Sequence, residues 1–219
     1  MKALVISGFL FDLSDNIKPF LDKNTDVYVH TWQTLLNEKW TVKLRRYKKY
    51  CNSLTVESTP LKFDDRLFSY FYSTYRAINL IEDLFKYDHI IKFKPNLDAP
   101  RINYKLKPEE CFYKAKIQSR PLLNGVKKEE CFYGAVYYKT LDERLFTGYS
   151  YGFEKVFKIP YDEFYKKMVD INSKLIEKYE NYEGSIFWTE FIESSGIKLI
   201  QDLYLKIPNN KNFDKKVGY

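Results

Sequence analysis

Residues 1–8, Met1-Lys2-Ala3-Leu4-Val5-Ile6-Ser7-Gly8, determine the class of fold that this sequence predicts. Their continuous apolar run, residues 3–6, ends at a serine and a glycine. This is the pattern of a strand that is buried on both faces and closed by a turn. Such strands lie at the centre of parallel sheets that helices cover on both sides. The sequence therefore predicts an α/β domain that opens with a central strand.

The segments after this strand alternate between helix and strand patterns. An N-cap at Ser14-Asp15-Asn16 predicts a first helix, and the β-branched and aromatic residues 26–30 predict the second strand. This order, strand, helix, strand, is a βαβ opening. We expect further strands at 53–57, 88–93, 131–139 and 197–207, and the repeated Glu-Glu-Cys-Phe-Tyr at 109–113 and 129–133 predicts a hairpin.

Three more helices follow from apolar residues at spacings of three and four. The most regular is capped by Asp64-Asp65, and its apolar face is Leu67, Phe71, Thr74, Ile78, Ile81 and Phe85. Another begins near Pro160, with Phe164, Met168, Ile171, Leu175 and Tyr179 on one face. A shorter helix at 185–195 ends before Gly196, a residue suited to a left-handed C-cap.

Composition limits the kind of protein that this chain can form. The chain has 219 residues, 45% of them apolar and 30% charged, and fits one domain, residues 1–207, with a polar tail at 208–219. Its apolar runs are shorter than the roughly 18 residues that a membrane span requires, so we expect none. The amino terminus lacks a small-residue cleavage site, so a core strand explains it better than a signal peptide and predicts a cytoplasmic protein.

Cysteine usage and the missing motifs exclude several kinds of chemistry. The three cysteines are an odd number at wide spacings, which favours reduced thiols over a disulfide framework. With two histidines and no Cys-x-x-Cys, a structural zinc site is not expected. The sequence contains no Walker A loop, Gly-x-Gly-x-x-Gly, His-Glu-x-x-His or Gly-x-Ser-x-Gly.

The charge of the chain favours an anionic partner. A net charge of +7 and a pI near 9.0 are compatible with nucleic acid, a membrane surface or a phosphorylated small molecule. Residues 39–50 are dense in Lys, Arg, Tyr and Trp. This stretch motivates an alternative function as a nucleic-acid-binding module, although a solvated helix face or a mobile loop is the simpler interpretation.

Four segments resemble motifs of a known group of proteins. They are Ile6-Ser7-Gly8, Asp26-Val27-Tyr28-Val29-His30-Thr31-Trp32, Tyr72-Ser73-x-Tyr75-Arg76-Ala77-Ile78-Asn79 and Tyr87-Asp88-His89-Ile90-Ile91-Lys92-Phe93-Lys94-Pro95-Asn96-Leu97. In this order they are similar to small phage-type and lipopolysaccharide-synthesis glycosyltransferase-like proteins. Residues 142–150 resemble the later Asp, Phe, Gly, Ser run of that group. The resemblance covers most of residues 1–207 and implies a GT-A-like fold, a Rossmann-type sheet that binds a nucleotide-sugar donor and transfers the sugar to a glycan or other surface acceptor.

The resemblance also implies a set of donor-binding residues. A nucleotide-sugar presents a base to stack and a diphosphate whose charge must be neutralised as the glycosidic bond breaks. The turn after the first strand can expose backbone amides, and the second strand ends in aromatic residues. The expected donor-binding residues are Ser7, Gly8, Phe9, His30, Trp32, Arg76, Asn79, Lys92 and Lys94.

Metal binding is left open by the sequence. Proteins with this fold commonly hold Mn²⁺ or Mg²⁺ through an Asp-x-Asp pair, whereas this chain has Asn96-Leu97-Asp98. In addition, Lys94 replaces an expected arginine, and the arginine usual after Ser7-Gly8 is missing. Three alternatives remain: a metal held by Asp98 with Asn96, metal-free catalysis by lysine and arginine, or a catalytically silent carbohydrate-binding homologue.

The remaining candidates concern the acceptor. An inverting transferase needs a carboxylate that deprotonates the acceptor hydroxyl. Asp142, in a stretch that we expect to form a loop, and Glu190, on the short helix, are the candidates. Trp188 beside Glu190 is expected to stack on a face of the acceptor sugar.

Overall fold

The computed structural model describes residues 1–8, 23–33, 38–58, 66–94, 127–137, 140–179, 182 and 184–201. Within these ranges the chain forms seven strands: β1 (Lys2–Ser7), β2 (Thr25–Trp32), β3 (Ser53–Glu57), β4 (His89–Phe93), β5 (Cys131–Tyr137), β6 (Thr140–Gly148) and β7 (Lys198–Gln201). The helices are α1 (Glu38–Lys48), α2 (Arg66–Asn79), α3 (Ser150–Phe157), α4 (Tyr161–Lys178) and α5 (Gly184–Ser194). Short 3₁₀ turns lie at Leu84–Lys86 and Lys128–Glu130.

The seven strands form one mixed sheet in the order β3-β2-β1-β4-β6-β5-β7. The half made of β3, β2, β1 and β4 is entirely parallel, and β7 is parallel to β5. Only β6 runs against its neighbours β4 and β5. The predicted α/β class, a mostly parallel central sheet flanked by helices, is therefore confirmed.

Helices cover both faces of the sheet. One face carries the larger core, in which residues of α2, α3, α4 and α5 pack on Ala3, Val5, Ile90 and Phe146. The opposite face carries a smaller core, in which Tyr47 of α1 packs on strands β1, β2 and β4. Successive side chains of a strand point to opposite faces, so β1 contributes to both cores.

Most predicted elements within the described ranges are confirmed. The strands at residues 2–7, 25–32, 53–57 and 89–93 match their apolar runs, and α4 buries Phe164, Met168, Ile171 and Leu175 as its periodicity predicts. Gly196 has a φ of 74° and ends the segment after α5, as expected for a C-cap. In the basic stretch 39–50, for which helix and loop were both expected, residues up to Lys48 belong to α1 and residues 49–50 form the turn after it.

Two predictions are corrected. The long helix ends at Asn79, before Ile81 and Phe85, and Phe85 is 61% exposed on a 3₁₀ turn. Residues 142–148, expected to form a loop, belong to β6. Pairing with β4 and β5 on both sides stabilises this strand, and a local sequence pattern does not reveal such pairing.

Several predictions fall on residues outside the described ranges. These are the helix near 14–21, the copy of the repeat at 109–113, the part of the final strand after Gln201, and the boundary between a domain and a tail at residue 207. Among the helices that the structure describes, none is both long enough and apolar enough to cross a bilayer.

Candidate functional site

The order of the parallel strands reverses between β1 and β4, and the region outside the carboxyl ends of these two strands is called the crevice below. From β1 the chain proceeds outward to β2 and β3, and it then returns to place β4 on the other side of β1. In open α/β sheets, ligands bind outside the carboxyl ends of the strands at such a reversal of strand order. Ser7 and Gly8 lie at the end of β1, and Lys94 follows the last residue of β4.

The turn after β1 is held by α2. The backbone N–H of Gly8 donates to the Ser73 hydroxyl oxygen at 2.8 Å, and the hydroxyls of Ser7 and Thr74 lie 2.8 Å apart. Gly8 has a φ of 101°, a backbone conformation that favours glycine. This geometry corrects one expectation: the Gly8 amide is used by Ser73, so it is not an exposed donor for phosphate.

Tyr70 of α2 joins the ends of β1 and β4. A Cβ added at Gly8 would lie 3.4 Å from the Tyr70 ring, so the ring packs against this glycine. The ammonium of Lys94 lies 4.0 Å from the centre of the same ring, and that of Lys92 lies 4.3 Å from it and donates to the Tyr70 hydroxyl. Two cations thus surround one phenol in the crevice.

The two lysines differ in their access to solvent. Lys92 is fully buried, and its ammonium also lies 5.0 Å from the centre of the Trp188 ring. Lys94 is half-buried, at the rim. Aromatic faces and the phenol oxygen stabilise a buried cation, so Lys92 supports Tyr70. Its burial corrects the expected contact of Lys92 with the donor, whereas Lys94 is the more accessible of the two lysines.

His30 and Trp32 belong to an aromatic cluster and not to an exposed surface. Both side chains are buried, with exposed fractions of 0% and 1%. The Trp32 ring stacks on Tyr72 with centroids 5.7 Å apart and meets the His30 ring edge-on at 5.0 Å. The expected direct contact with a base is therefore corrected, because protein side chains already cover these rings.

Arg76 pairs with a carboxylate that the sequence did not single out. Its Nε and Nη2 atoms lie 2.7 and 2.6 Å from Oε1 of Glu57, the last residue of β3. The second carboxylate oxygen accepts from the Tyr72 hydroxyl at 3.2 Å and lies 3.5 Å from Nε2 of His30. Arg76 therefore pairs with Glu57 at the carboxyl edge, and its side chain remains 40% exposed, so its expected phosphate contact stays a prediction.

Two further candidates have structural partners. Asn79 donates to the backbone oxygens of Tyr75 and Phe157 at 2.8 and 3.0 Å, so it joins α2 to the end of α3. Trp188 is fully buried with its centroid 4.0 Å from that of Phe71. A ring enclosed in this way offers no face to an acceptor sugar, which corrects the expected stacking.

Asp142 and Glu190 follow two residues that contact each other. The backbone N–H of Leu141 donates to the Thr189 hydroxyl at 2.8 Å, and Asp142 and Glu190 are the residues that follow. Because β6 runs antiparallel to β4 and pairs Leu145 with Phe93, Asp142 extends about 10 Å past the carboxyl end of β4. Glu190 is exposed on α5. Topology therefore brings both residues to the edge that carries Lys94.

Three predicted site residues, Phe9, Asn96 and Asp98, lie outside the described ranges. Within those ranges, no group of three or more His, Cys, Asp or Glu residues is arranged to hold a metal ion. The metal ligands that the sequence predicts therefore stay predictions.

Tyr70, Ser73 and Glu57 are the site residues that sequence reasoning did not select. Ser73 was part of the third motif, and Tyr70 lies one turn before it on the same face of α2. The spacing of three residues was the available signal, since such residues are neighbours on a helix. Glu57 had no local signal, because its partners come from α2 and β2.

Comparison with known proteins gives distant structural neighbours. No protein-family model matches the sequence, and no curated protein matches it. Two similar solved structures are crystal structures of the glycosyltransferase GlyE from Streptococcus pneumoniae TIGR4. One has a TM-score of 0.46 at 7% identity over 91% of this chain and 45% of that chain. The other, the apo form, has a TM-score of 0.45 at 9% identity over 92% and 46%. This chain thus spans less than half the length of those proteins.

Proposed function

We propose that this protein is a glycosyltransferase that takes a sugar from a nucleoside diphosphate donor bound between the carboxyl ends of β1 and β4. The observation that carries the proposal is the meeting of Gly8, Tyr70 and Lys94 at the reversal of strand order. This is the place where an open parallel sheet binds nucleotides. The resemblance of the four sequence motifs to a GT-A-like group supports the choice of sugar transfer.

The charge of the crevice fits a diphosphate leaving group. When the glycosidic bond to the diphosphate breaks, the bond electrons pass to a phosphate oxygen, and cationic groups lower the barrier by stabilising that charge. In this proposal Lys94 supplies a positive charge at the rim, and the phenol of Tyr70, in contact with buried Lys92, supplies a hydrogen-bonding oxygen. The predicted metal ligands Asn96 and Asp98 lie outside the described residues.

The acceptor would enter from the side of β6 and α5. Its hydroxyl must lose a proton as it attacks the sugar, and a carboxylate is the usual base. Asp142 and Glu190 follow the two residues of the hydrogen bond that joins β6 to α5. We propose one of these carboxylates as that base, acting on a glycan or other surface acceptor.

The first experiment measures binding of nucleoside diphosphates. A ligand that binds only the native state raises the melting temperature, so UDP, GDP, CDP and TDP are compared with and without Mn²⁺. We expect one base to stabilise the protein, and Lys94→Met to weaken that ligand about tenfold, the effect of losing one charge-assisted contact of roughly 1.5 kcal/mol. Lys166→Met, on the exposed side of α4, is the matched control.

The second step tests transfer itself. Sugar conjugates of the nucleoside diphosphate that stabilises the protein serve as donors. Mass spectrometry then follows donor cleavage in the wild type, Asp142→Asn and Glu190→Gln. We expect one of these variants to lose about a hundredfold in rate while still binding the nucleotide, since general base catalysis contributes 10²–10⁴-fold. Absence of any melting shift across the panel would contradict the proposal.

A further inference from the structure

The buried histidine of β2, His30, lies between two polar side chains. Nδ1 of His30 is 2.8 Å from the Ser73 hydroxyl oxygen, and Nε2 faces Oε2 of Glu57 at 3.5 Å. The same Ser73 oxygen accepts the Gly8 backbone N–H at 2.8 Å. Hydrogen bonds therefore link His30 of β2 and Ser73 of α2 to the turn after β1. At the other side of the imidazole, the Glu57 carboxylate lies near Nε2 without a hydrogen bond to it.

The direction of each contact follows from what each group can donate. The Gly8 N–H only donates, and an ionised Glu57 carboxylate only accepts. Glu57 therefore favours the His30 tautomer with its proton on Nε2, which leaves Nδ1 as an acceptor. Ser73 then donates its single proton to Nδ1 at 2.8 Å in preference to the backbone oxygen of His30, which lies farther away at 3.3 Å, and accepts from Gly8. In the other tautomer the lone pair of Nε2 would face a carboxylate, which is unfavourable.

Other charged and polar groups around His30 reinforce this direction. Arg76 of α2 occupies Oε1 of Glu57 through two nitrogens, and this leaves Oε2 for His30 and the Tyr72 hydroxyl. Trp32 and Tyr72 enclose the imidazole edge-on. The burial of His30 lowers its pKa from 6.5 to about 4, so the ring is neutral at pH 7 and has a defined tautomer.

We infer that Glu57, His30 and Ser73 are positioning residues that together fix the Gly8 turn at the mouth of the donor crevice. The role in donor binding rests on the proposed function, whereas the tautomer and the Gly8 contact do not. Fixing this turn places Gly8 against the Tyr70 ring in its unusual backbone conformation. The residues act through Gly8 and do not touch the donor.

Nuclear magnetic resonance on the full, isotopically labelled chain tests the inference without any ligand. Long-range ¹H–¹⁵N correlations of the His30 ring report its tautomer, and we expect the proton on Nε2. Hydrogen exchange reports the Gly8 contact: in Ser73→Ala we expect the Gly8 amide to exchange about tenfold faster, the loss expected for one hydrogen bond. Ser194→Ala removes a comparable helix hydroxyl on α5 and should leave Gly8 unchanged.

The outcomes separate this inference from the proposed function. A proton on Nδ1 in the wild type, or an unchanged Gly8 exchange rate in Ser73→Ala, would overturn the inference whether or not a nucleotide binds. If Ser73→Ala does not fold, the tautomer of His30 in the wild type alone tests the inference. If a nucleotide binds the wild type, we expect Ser73→Ala to weaken it about tenfold and Ser194→Ala not to. If no nucleotide binds, the proposed function is contradicted. The His30 tautomer and the Gly8 exchange rate still test the positioning role.

Discussion

The side chains at the carboxyl edge divide into those that support the crevice and those that line it. Ser73, His30 and Glu57 are linked to one another and to Gly8, and they serve as support. Lys94 and Tyr70 lie at the crevice itself. The sequence does not distinguish these two roles, because they differ in the burial of the side chain and not in residue type.

Protonation of His30 should make stability depend on pH. Its pKa is lowered to about 4 in the folded state by burial, against an ordinary value of 6.5. As pH falls through 6.5, His30 binds a proton in the unfolded chain but stays neutral in the native state. The free energy of unfolding should therefore fall by about 2 kcal/mol between pH 7 and pH 5 through this group.

Urea titrations at pH 7 and pH 5 measure this effect. His30→Gln should be less stable than the wild type at pH 7, because it loses a packed ring, but its free energy of unfolding should change less between the two pH values. An equal pH dependence in both proteins would show that His30 does not titrate as its burial requires.

Two glycines with positive φ allow the β1 turn to be compared with an ordinary helix cap. Gly8 has a φ of 101° and Gly196 a φ of 74°. Replacing either with alanine should lower the free energy of unfolding by about 1–3 kcal/mol, because a Cβ disfavours this backbone region. Only Gly8→Ala should also weaken nucleotide binding.

The two variants, Gly8→Ala and Gly196→Ala, are compared by two measurements. Calorimetry gives their affinity for the nucleotide, and chemical denaturation gives their free energy of unfolding. At Gly8 the new Cβ would meet the Tyr70 ring at 3.4 Å, whereas at Gly196 it would meet the flexible end of Lys155. Nucleotide affinity that falls equally in both variants would indicate a general loss of stability and not a local role for the β1 turn.

Among the helices and strands, the junction of β6 with α3 was not visible in the sequence. Gly148 ends β6 and Gly152 lies in α3, and both pack under the ring of Phe132 from β5. Ser150 between them donates to the backbone oxygen of Tyr87. The run from 142 to 150 that resembles a glycosyltransferase motif therefore has a structural role here, in which Gly148 and Ser150 join two strands, a helix and a turn.

Gly152→Ala should test this packing because two effects oppose each other. Alanine favours a helix over glycine by about 1 kcal/mol, but its Cβ would lie 2.8 Å from the Phe132 ring. Overpacking of this kind costs about 1–3 kcal/mol, so we expect net destabilisation in thermal or urea unfolding. In a Phe132→Leu background the effect of Gly152→Ala should become smaller or change sign, and strict additivity would contradict the contact.

For the chain as a whole, the distribution of charge bears on the alternative of nucleic-acid binding. The exposed face of α1 and its end carry Arg45, Arg46, Lys48 and Lys49, next to Tyr50, which is 54% exposed. None of the ion pairs within the described residues includes these four cations. Positive charge at the carboxyl end of a helix also stabilises the helix itself, which is a sufficient structural reason for it.

Binding of a fluorescent single-stranded oligonucleotide at increasing salt distinguishes the two explanations. We expect weak binding that is lost by about 0.2 M salt, as for non-specific contacts with phosphates. The preferred nucleoside diphosphate should not displace the oligonucleotide, because α1 packs on the face of the sheet opposite α2. Tight binding that persists at this salt concentration and is abolished by Arg45→Glu with Arg46→Glu would favour the nucleic-acid function.

Local pattern was enough to predict the parallel half of the sheet and the helices α2, α4 and α5. An apolar run, or apolar residues at spacings of three and four, shows which face of a single segment is buried. This can be predicted without knowing which segment packs against that face. The first strand, residues 2–7, is the clearest example, since its apolar side chains face both cores.

The arrangement of the candidate site depends on contacts between segments that are distant in the sequence. Glu57 and Arg76 meet from β3 and α2, Asp142 reaches the carboxyl edge because β6 pairs antiparallel with β4, and Trp188 is enclosed by rings from several elements. Whether a polar or aromatic side chain supports the core or faces a ligand depends on which segments surround it. That arrangement exists only after the chain has folded, so the positions of the candidate residues in the sequence could not contain it.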